Sequence, residues 1–227
     1  MSAHRRQYGT AGRPASRRVR RWWLALFIAA VVLAQGARLG QPAAAQGMER
    51  APAGDSAQVR FAAIGDYGLD GPDEAAVARL VKSWQPDFIV TLGDNNYPSG
   101  NASSIDRNIG KYYHAYIGNY VGSYGAGAEQ NRFFPTLGNH DYATPRARPY
   151  LDYFTLPGNE RYYRVTWGPV EIYCLDSEIW EPDGNSADSL QAAWLRESLA
   201  ESTATWKLVA MHSPPYSSGA HGGDPLG

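Results

Sequence analysis

Val59-Arg60-Phe61-Ala62-Ala63-Ile64-Gly65-Asp66-Tyr67-Gly68 is a short apolar run that stops on a glycine and a carboxylate. Such a run reads as a buried strand, and Gly-Asp as the turn that ends it. The same event recurs downstream: Phe88 to Leu92 runs into Gly93-Asp94, Phe133 to Leu137 into Gly138-Asn139-His140, and Trp206 to Met211 delivers His212. The third of these strands is weakened by Pro135, which cannot donate to a ladder. Between them, Pro72-Asp73-Glu74 starts a helix running to about Trp84, with Val77, Leu80, Val81 and Trp84 on one face. Ile105 to Tyr120 sets Ile109, Tyr112, Tyr113, Tyr116 and Ile117 at helical spacing, so its aromatics read as core contacts and His114 as structural or surface. Tyr162 to Trp167 and Val170 to Leu175 flank Gly168-Pro169 as a hairpin. Ser189 to Ser202 reads as a helix with Leu190, Ala193, Trp194 and Leu199 inward. Short strands alternating with helices predict an α/β layer fold.

The 227 residues, 44% of them hydrophobic, suffice for one substantial core and one domain at 58–227. A net charge of -1 hides an asymmetry, because residues 1–47 hold eight Arg and no acid, leaving 13 basic against 22 acidic residues, about -9, downstream. That balance argues against nucleic acid as a general partner. The basic head has an explanation in export. Arg17, Arg18, Arg20 and Arg21 precede a 13-residue apolar stretch, Trp22 to Ala34, and Ala43-Ala44-Ala45 offers a small-residue cleavage site. Residues 1–45 are therefore read as a signal peptide and 46–57 as a linker. The alternative is a single-span anchor, but the stretch falls short of the roughly 20 residues that cross a bilayer, so no stable membrane span is expected. Ser16-Arg17-Arg18 resembles a twin-arginine export signal. The single Cys174 excludes an intramolecular disulfide, and its apolar surroundings read as packing rather than as a nucleophile.

The chemistry lies in the residues that end the strands: Asp66, Asp94, Asn139 and His212. Each has an ordinary reading as a turn or surface residue. Together, at the carboxyl ends of strands where α/β sheets open their crevice, they read as a metal site. Carboxylate, amide oxygen and imidazole suit divalent or trivalent first-row metals, whereas one cysteine excludes a closed thiolate zinc site. A pair of ions roughly 3.5–4 Å apart can clamp the attacking and leaving oxygens of a phosphoryl transfer and make hydroxide available without a protein nucleophile.

Gly65-Asp66-Tyr67-Gly68, Gly93-Asp94-Asn95-Asn96-Tyr97, Gly138-Asn139-His140-Asp141 and Val209-Ala210-Met211-His212 resemble four of the five sequence blocks of the calcineurin-like metallophosphoesterases. Tyr97, three after the second Asp, is similar to the purple acid phosphatase branch. The resemblance implies a layered α/β sandwich of two mixed sheets flanked by helices. It implies that Asp66 and Tyr97 bind one metal, that Asp94 bridges two, and that Asn139 and His212 bind the second. The metals implied are Fe(III) with Zn, Mn or Fe, and three anionic oxygen ligands suit a hard trivalent ion. Tyr97 alone also reads as a packed aromatic at a turn. His140 resembles the family residue that contacts phosphate and protonates the leaving alkoxide, and His221, nine after His212, the branch's second substrate-contacting His. His221 alone reads equally as a surface residue of a Gly-rich loop. Asp141 is expected to orient the His140 imidazole.

The resemblance also implies a fifth block, Gly-His-x-His, that gives one ligand to each metal, and the sequence to Gly227 holds none. The expectation is a domain with its C-terminal part missing, or one that has lost part of its site, and a 227-residue product that binds metal weakly and turns over poorly. The leading function is hydrolysis of phosphoric monoesters by metal-bound hydroxide at a dinuclear site. The substrate would be a small phosphate ester or a phosphoprotein. A phosphodiesterase or pyrophosphatase on the same scaffold, and a non-catalytic exported phosphate-binding protein, are the competing readings.

Overall fold

A computed structural model of the chain describes residues 58–216. The export head at 1–45, the linker at 46–57 and His221 lie outside the described residues. Along the chain come β1 (Phe61–Ile64), α1 (Pro72–Ser83), β2 (Phe88–Thr91), α2 (Ala102–Ile105), α3 (Lys111–Tyr113) and β3 (Phe133–Phe134). They are followed by α4 (Arg148–Tyr153), β4 (Tyr163–Trp167), β5 (Val170–Cys174), α5 (Leu190–Glu201) and β6 (Trp206–Ala210).

The strands form two sheets flanked by helices, ordered β1-β2-β3 and β4-β5-β6. The first holds only parallel pairs, with Ile64 opposite Thr91 and Ile89 opposite Phe133. The second is mixed: β4 and β5 are an antiparallel hairpin, and β6 returns after α5 to lie parallel to β5. Parallel neighbours require crossovers, supplied by α1, by the helical segment from Ala102 to Tyr116 and by α5. Helix α1 starts as its sequence dictates, with Pro72 in the first turn, Asp73 and Glu74 at the positive end of the helix dipole and Lys82 at the other. Ser189 caps α5, its side chain accepting from the Ala192 amide. β3 is only two residues long because Pro135 follows it without an N–H.

Three expectations change. The α1 residues Val77, Leu80 and Trp84 face solvent, and the packed face is Glu74, Ala78 and Val81. In α5 the buried positions are Gln191 and Ser198 while Leu190 is exposed, because Gln191 accepts from the Asp176 amide and donates to the Asp176 and Gly184 carbonyls, backbone that would otherwise be unpaired. The helix expected over Ile105 to Tyr120 starts earlier, at Ala102, passes through a wide π-turn at Asp106–Gly110, and ends at Tyr116. Ile109, Tyr112, Tyr113, Tyr116 and Ile117 are nonetheless all buried.

The sheets pack through aromatic rings, with Trp167 5.5 Å from Phe88 and 6.3 Å from Phe134. The Tyr150 and Tyr163 hydroxyls both donate to the Pro135 carbonyl, at 2.8 and 2.6 Å, and satisfy the oxygen where β3 ends. Cys174 is fully buried in β5, and burial pushes its thiol up to about 12. Among the described residues, no helix is long and apolar enough to cross a membrane.

Candidate metal centre

Strands β1, β2, β3 and β6 send their carboxyl ends to one rim. Asp66 follows β1 and Asp94 follows β2, and each holds a φ of +53°, a left-handed conformation that a non-glycine residue adopts at some cost. Gly93 has a φ of +83°, and a Cβ there would sit 2.6 Å from the His212 side chain. At Gly138 a Cβ would stand 2.4 Å from both the amide nitrogen and Oδ1 of Asp94. The strand-end glycines thus provide the room in which the ligand loops meet.

Asp66, Asp94 and His212 each bring a ligand atom within 4.8 Å of the others. Asp94 is buried, and its Oδ1 accepts from the His140 amide at 2.8 Å. The Tyr97 hydroxyl lies 2.8 Å from Asp94 Oδ2 and 3.0 Å from Asp66 Oδ1. Burial and these two carboxylates push the phenol well above its usual value, so it ionises there only if a cation offsets their charge.

The His212 ring is fixed by its Nδ1–H, which donates to the Leu92 carbonyl at 2.8 Å. Its Nε2 then points at Asn139 Oδ1, 3.0 Å away, and Asp94 Oδ2, 3.5 Å away. A neutral imidazole with its proton on Nδ1 presents a lone pair to those oxygens. Electron pairs from a nitrogen, an amide oxygen and two carboxylates therefore converge, and a cation is what satisfies them together. The donor set fits a first-row metal ion.

His140 is placed differently. Its Nδ1–H donates to the Pro98 carbonyl at 2.6 Å and its ring packs 4.3 Å from that of Tyr97. Nε2, 3.9 Å from Asp94 Oδ2, remains on the half-buried side of the ring facing the ligands.

Asp141 departs from its expected role. Its buried carboxylate accepts from the Asn95 amide at 3.2 Å, the Asn95 side chain at 2.9 Å and the Gly138 amide at 3.0 Å. Pro98, not Asp141, orients the His140 ring. Burial pushes the Asp141 carboxyl up to about 6 against the pull of those donors. Asn95, which sequence reasoning passed over as turn chemistry, is the centre of this network. Besides Asp141 it binds the Tyr67 and Thr91 hydroxyls and the Thr136 carbonyl, joining the loops after β1, β2 and β3. Ser177, Glu178 and Ser213 were also missed. The Ser213 amide donates to Ser177 Oγ at 2.9 Å and its hydroxyl to Glu178 at 3.4 Å, holding the residue next to His212 against the loop after β5.

Residues 59–226 match the family model described as calcineurin-like phosphoesterase. Over 198 residues the chain is 30% identical to purple acid phosphatase 17 of Arabidopsis thaliana, a match covering 75% of this chain and 56% of that protein. Over 204 residues it is 26% identical to tartrate-resistant acid phosphatase type 5 of both Oryctolagus cuniculus and Homo sapiens, covering 74% of this chain and 60% of each relative. The chain thus spans 56–60% of the length of these curated relatives. With strand-end carboxylates and an imidazole gathered at the rim of two sheets, and a family match that runs through almost all of the described residues, the chain belongs to the calcineurin-like phosphoesterase family.

Proposed function

We propose that this chain carries the metal centre of an exported phosphatase that hydrolyses phosphoric monoesters, small-molecule or protein-borne, at a dinuclear site. One observation carries the reading: ligand atoms of Asp66, Asp94 and His212 lie within 4.8 Å of one another although their loops come from different sheets. In this reading Asp66 and Tyr97 hold a first ion, Fe(III), Asp94 bridges, and Asn139 and His212 hold a second, Zn, Mn or Fe. Ions held by these residues would polarise a phosphoryl oxygen and lower the pKa of bound water towards about 7.

The chain's own groups do the rest. Leu92 keeps the His212 lone pair on Nε2, and the Asp94 carboxylate is held by the His140 amide. His140, its Nδ1–H bound to Pro98, is left with Nε2 to carry a proton to the departing oxygen. His221 is a second source of that proton on its place nine after His212. The acid phosphatase names of the relatives support a monoester substrate. The Arg-rich head and apolar stretch support export.

The test is metal analysis of purified protein paired with hydrolysis of p-nitrophenyl phosphate and its bis-ester. The expected result is weakly held iron with a phenolate-to-iron(III) charge-transfer band, slow turnover that is faster for the monoester than for the diester, and loss of metal and turnover together in Asp94→Ala. Tyr97→Phe should lose the band while Asp66 and Asp94 still retain iron. Protein that takes up no metal, or an Asp94→Ala variant that keeps it, would defeat the reading.

A further inference from the structure

The loop after β5 is bonded to Ser213, the residue after His212, and carries an exposed apolar pair, Ile179 at 70% and Trp180 at 53% exposure. The segment is not loose. The buried Asp176 carboxylate accepts from the Tyr142 hydroxyl at 2.5 Å and from the Glu178 amide at 2.9 Å, and the Asp176 amide donates to Gln191. Ser177 and Glu178 bind Ser213, the residue after His212, and Ser177 O accepts from the Asn185 side chain. Tyr142 lies two residues beyond His140, and its ring is 5.7 Å from that of Trp180. Ile179 and Trp180 are thus presented by a stretch pinned on one flank to the loop bearing His140 and on the other to the loop bearing His212.

The proposed ligands are polar or charged, and an apolar pair held in place beside them suits an apolar group brought to that edge. Two side chains are far too few for a protein interface, which needs roughly 800 Å² from each partner. They match a single ring. We infer that Ile179 and Trp180 form the apolar rim against which the leaving group of the ester packs, so that the site selects phosphate esters of aryl or similarly flat apolar alcohols. The inference rests on the phosphoesterase reading above and names the substrate class of that same site. Stacking on an indole adds affinity for the group attached to phosphorus without altering the ligands that hold the phosphoryl oxygens.

Calorimetric titration of the metal-loaded protein with phenylphosphonate and methylphosphonate, which are not hydrolysed, tests it. The unaltered protein should bind phenylphosphonate about ten-fold more tightly than methylphosphonate. Trp180→Ala should lose that advantage while its methylphosphonate Kd stays the same, which also shows that the variant is folded, and Trp180→Phe should keep most of it. Equal binding of the two phosphonates by the unaltered protein, or equal weakening of both in Trp180→Ala, overturns the rim and leaves the phosphoesterase reading standing. If neither phosphonate binds metal-loaded protein, that reading falls and the rim with it.

Discussion

At Gly138 the site has no room for even a methyl group, since a Cβ would press on the Asp94 amide and Oδ1 at 2.4 Å. Gly138→Ala should therefore move the loop that holds the bridging carboxylate, lowering stability by about 2 kcal/mol and reducing bound metal. Urea unfolding and metal content check this, and a variant within about 0.5 kcal/mol of the parent would contradict it. The ligands themselves are legible in the sequence because each follows an apolar run and three of them stand beside glycine. Asp141 is not, because adjacency to His140 says nothing of where its carboxylate turns, and three buried N–H donors claim it. Asn95 is hidden for the same reason. An Asn-Asn pair after a strand reads as a turn, and only the folded chain shows both buried, Asn95 between three loops.

Among the elements, α1 shows why periodicity finds a helix more reliably than its buried face. Val77, Leu80 and Trp84 form a helical stripe, and so do Glu74, Ala78 and Val81. Hydropathy favours the first, because a glutamate reads as a solvent residue, yet the structure packs the second. Val81→Ala should cost about 2 kcal/mol of unfolding free energy, whereas Leu80→Ala should cost less than about 0.5 kcal/mol. Comparable losses in both variants would mean that the face was wrongly assigned. Strand positions were legible from apolar runs bounded by turn residues. The length of β3 was legible only in direction, since Pro135 foretells a weak strand but not one of two residues.

For the molecule as a whole, the carboxyl of Glu74 makes stability depend on pH. Burial, aided by the charge of Asp70, pushes it up to about 8 from an ordinary 4.5. Between those values the folded chain holds a proton that the unfolded chain has lost. The contribution is fully present below about 4.5 and is lost as pH rises through about 8. Glu74→Gln, which keeps the shape without the ionisation, should gain roughly 3 kcal/mol over the parent on going from about pH 5 to about pH 8. Chemical denaturation at both pH values measures this, and parallel changes in the two proteins would refute it. No sequence pattern reveals such a group, because its burial depends on which face of α1 packs inward. Distance along the chain matters at this scale too. The bond from His212 to the Leu92 carbonyl joins residues 120 positions apart, across both sheets. His212 can meet the aspartates only after β6 has joined its sheet and that sheet has docked on the first. Assembly of the ligand set is therefore a late event on the folding path, and firm uptake of an ion marks a chain whose folding is finished.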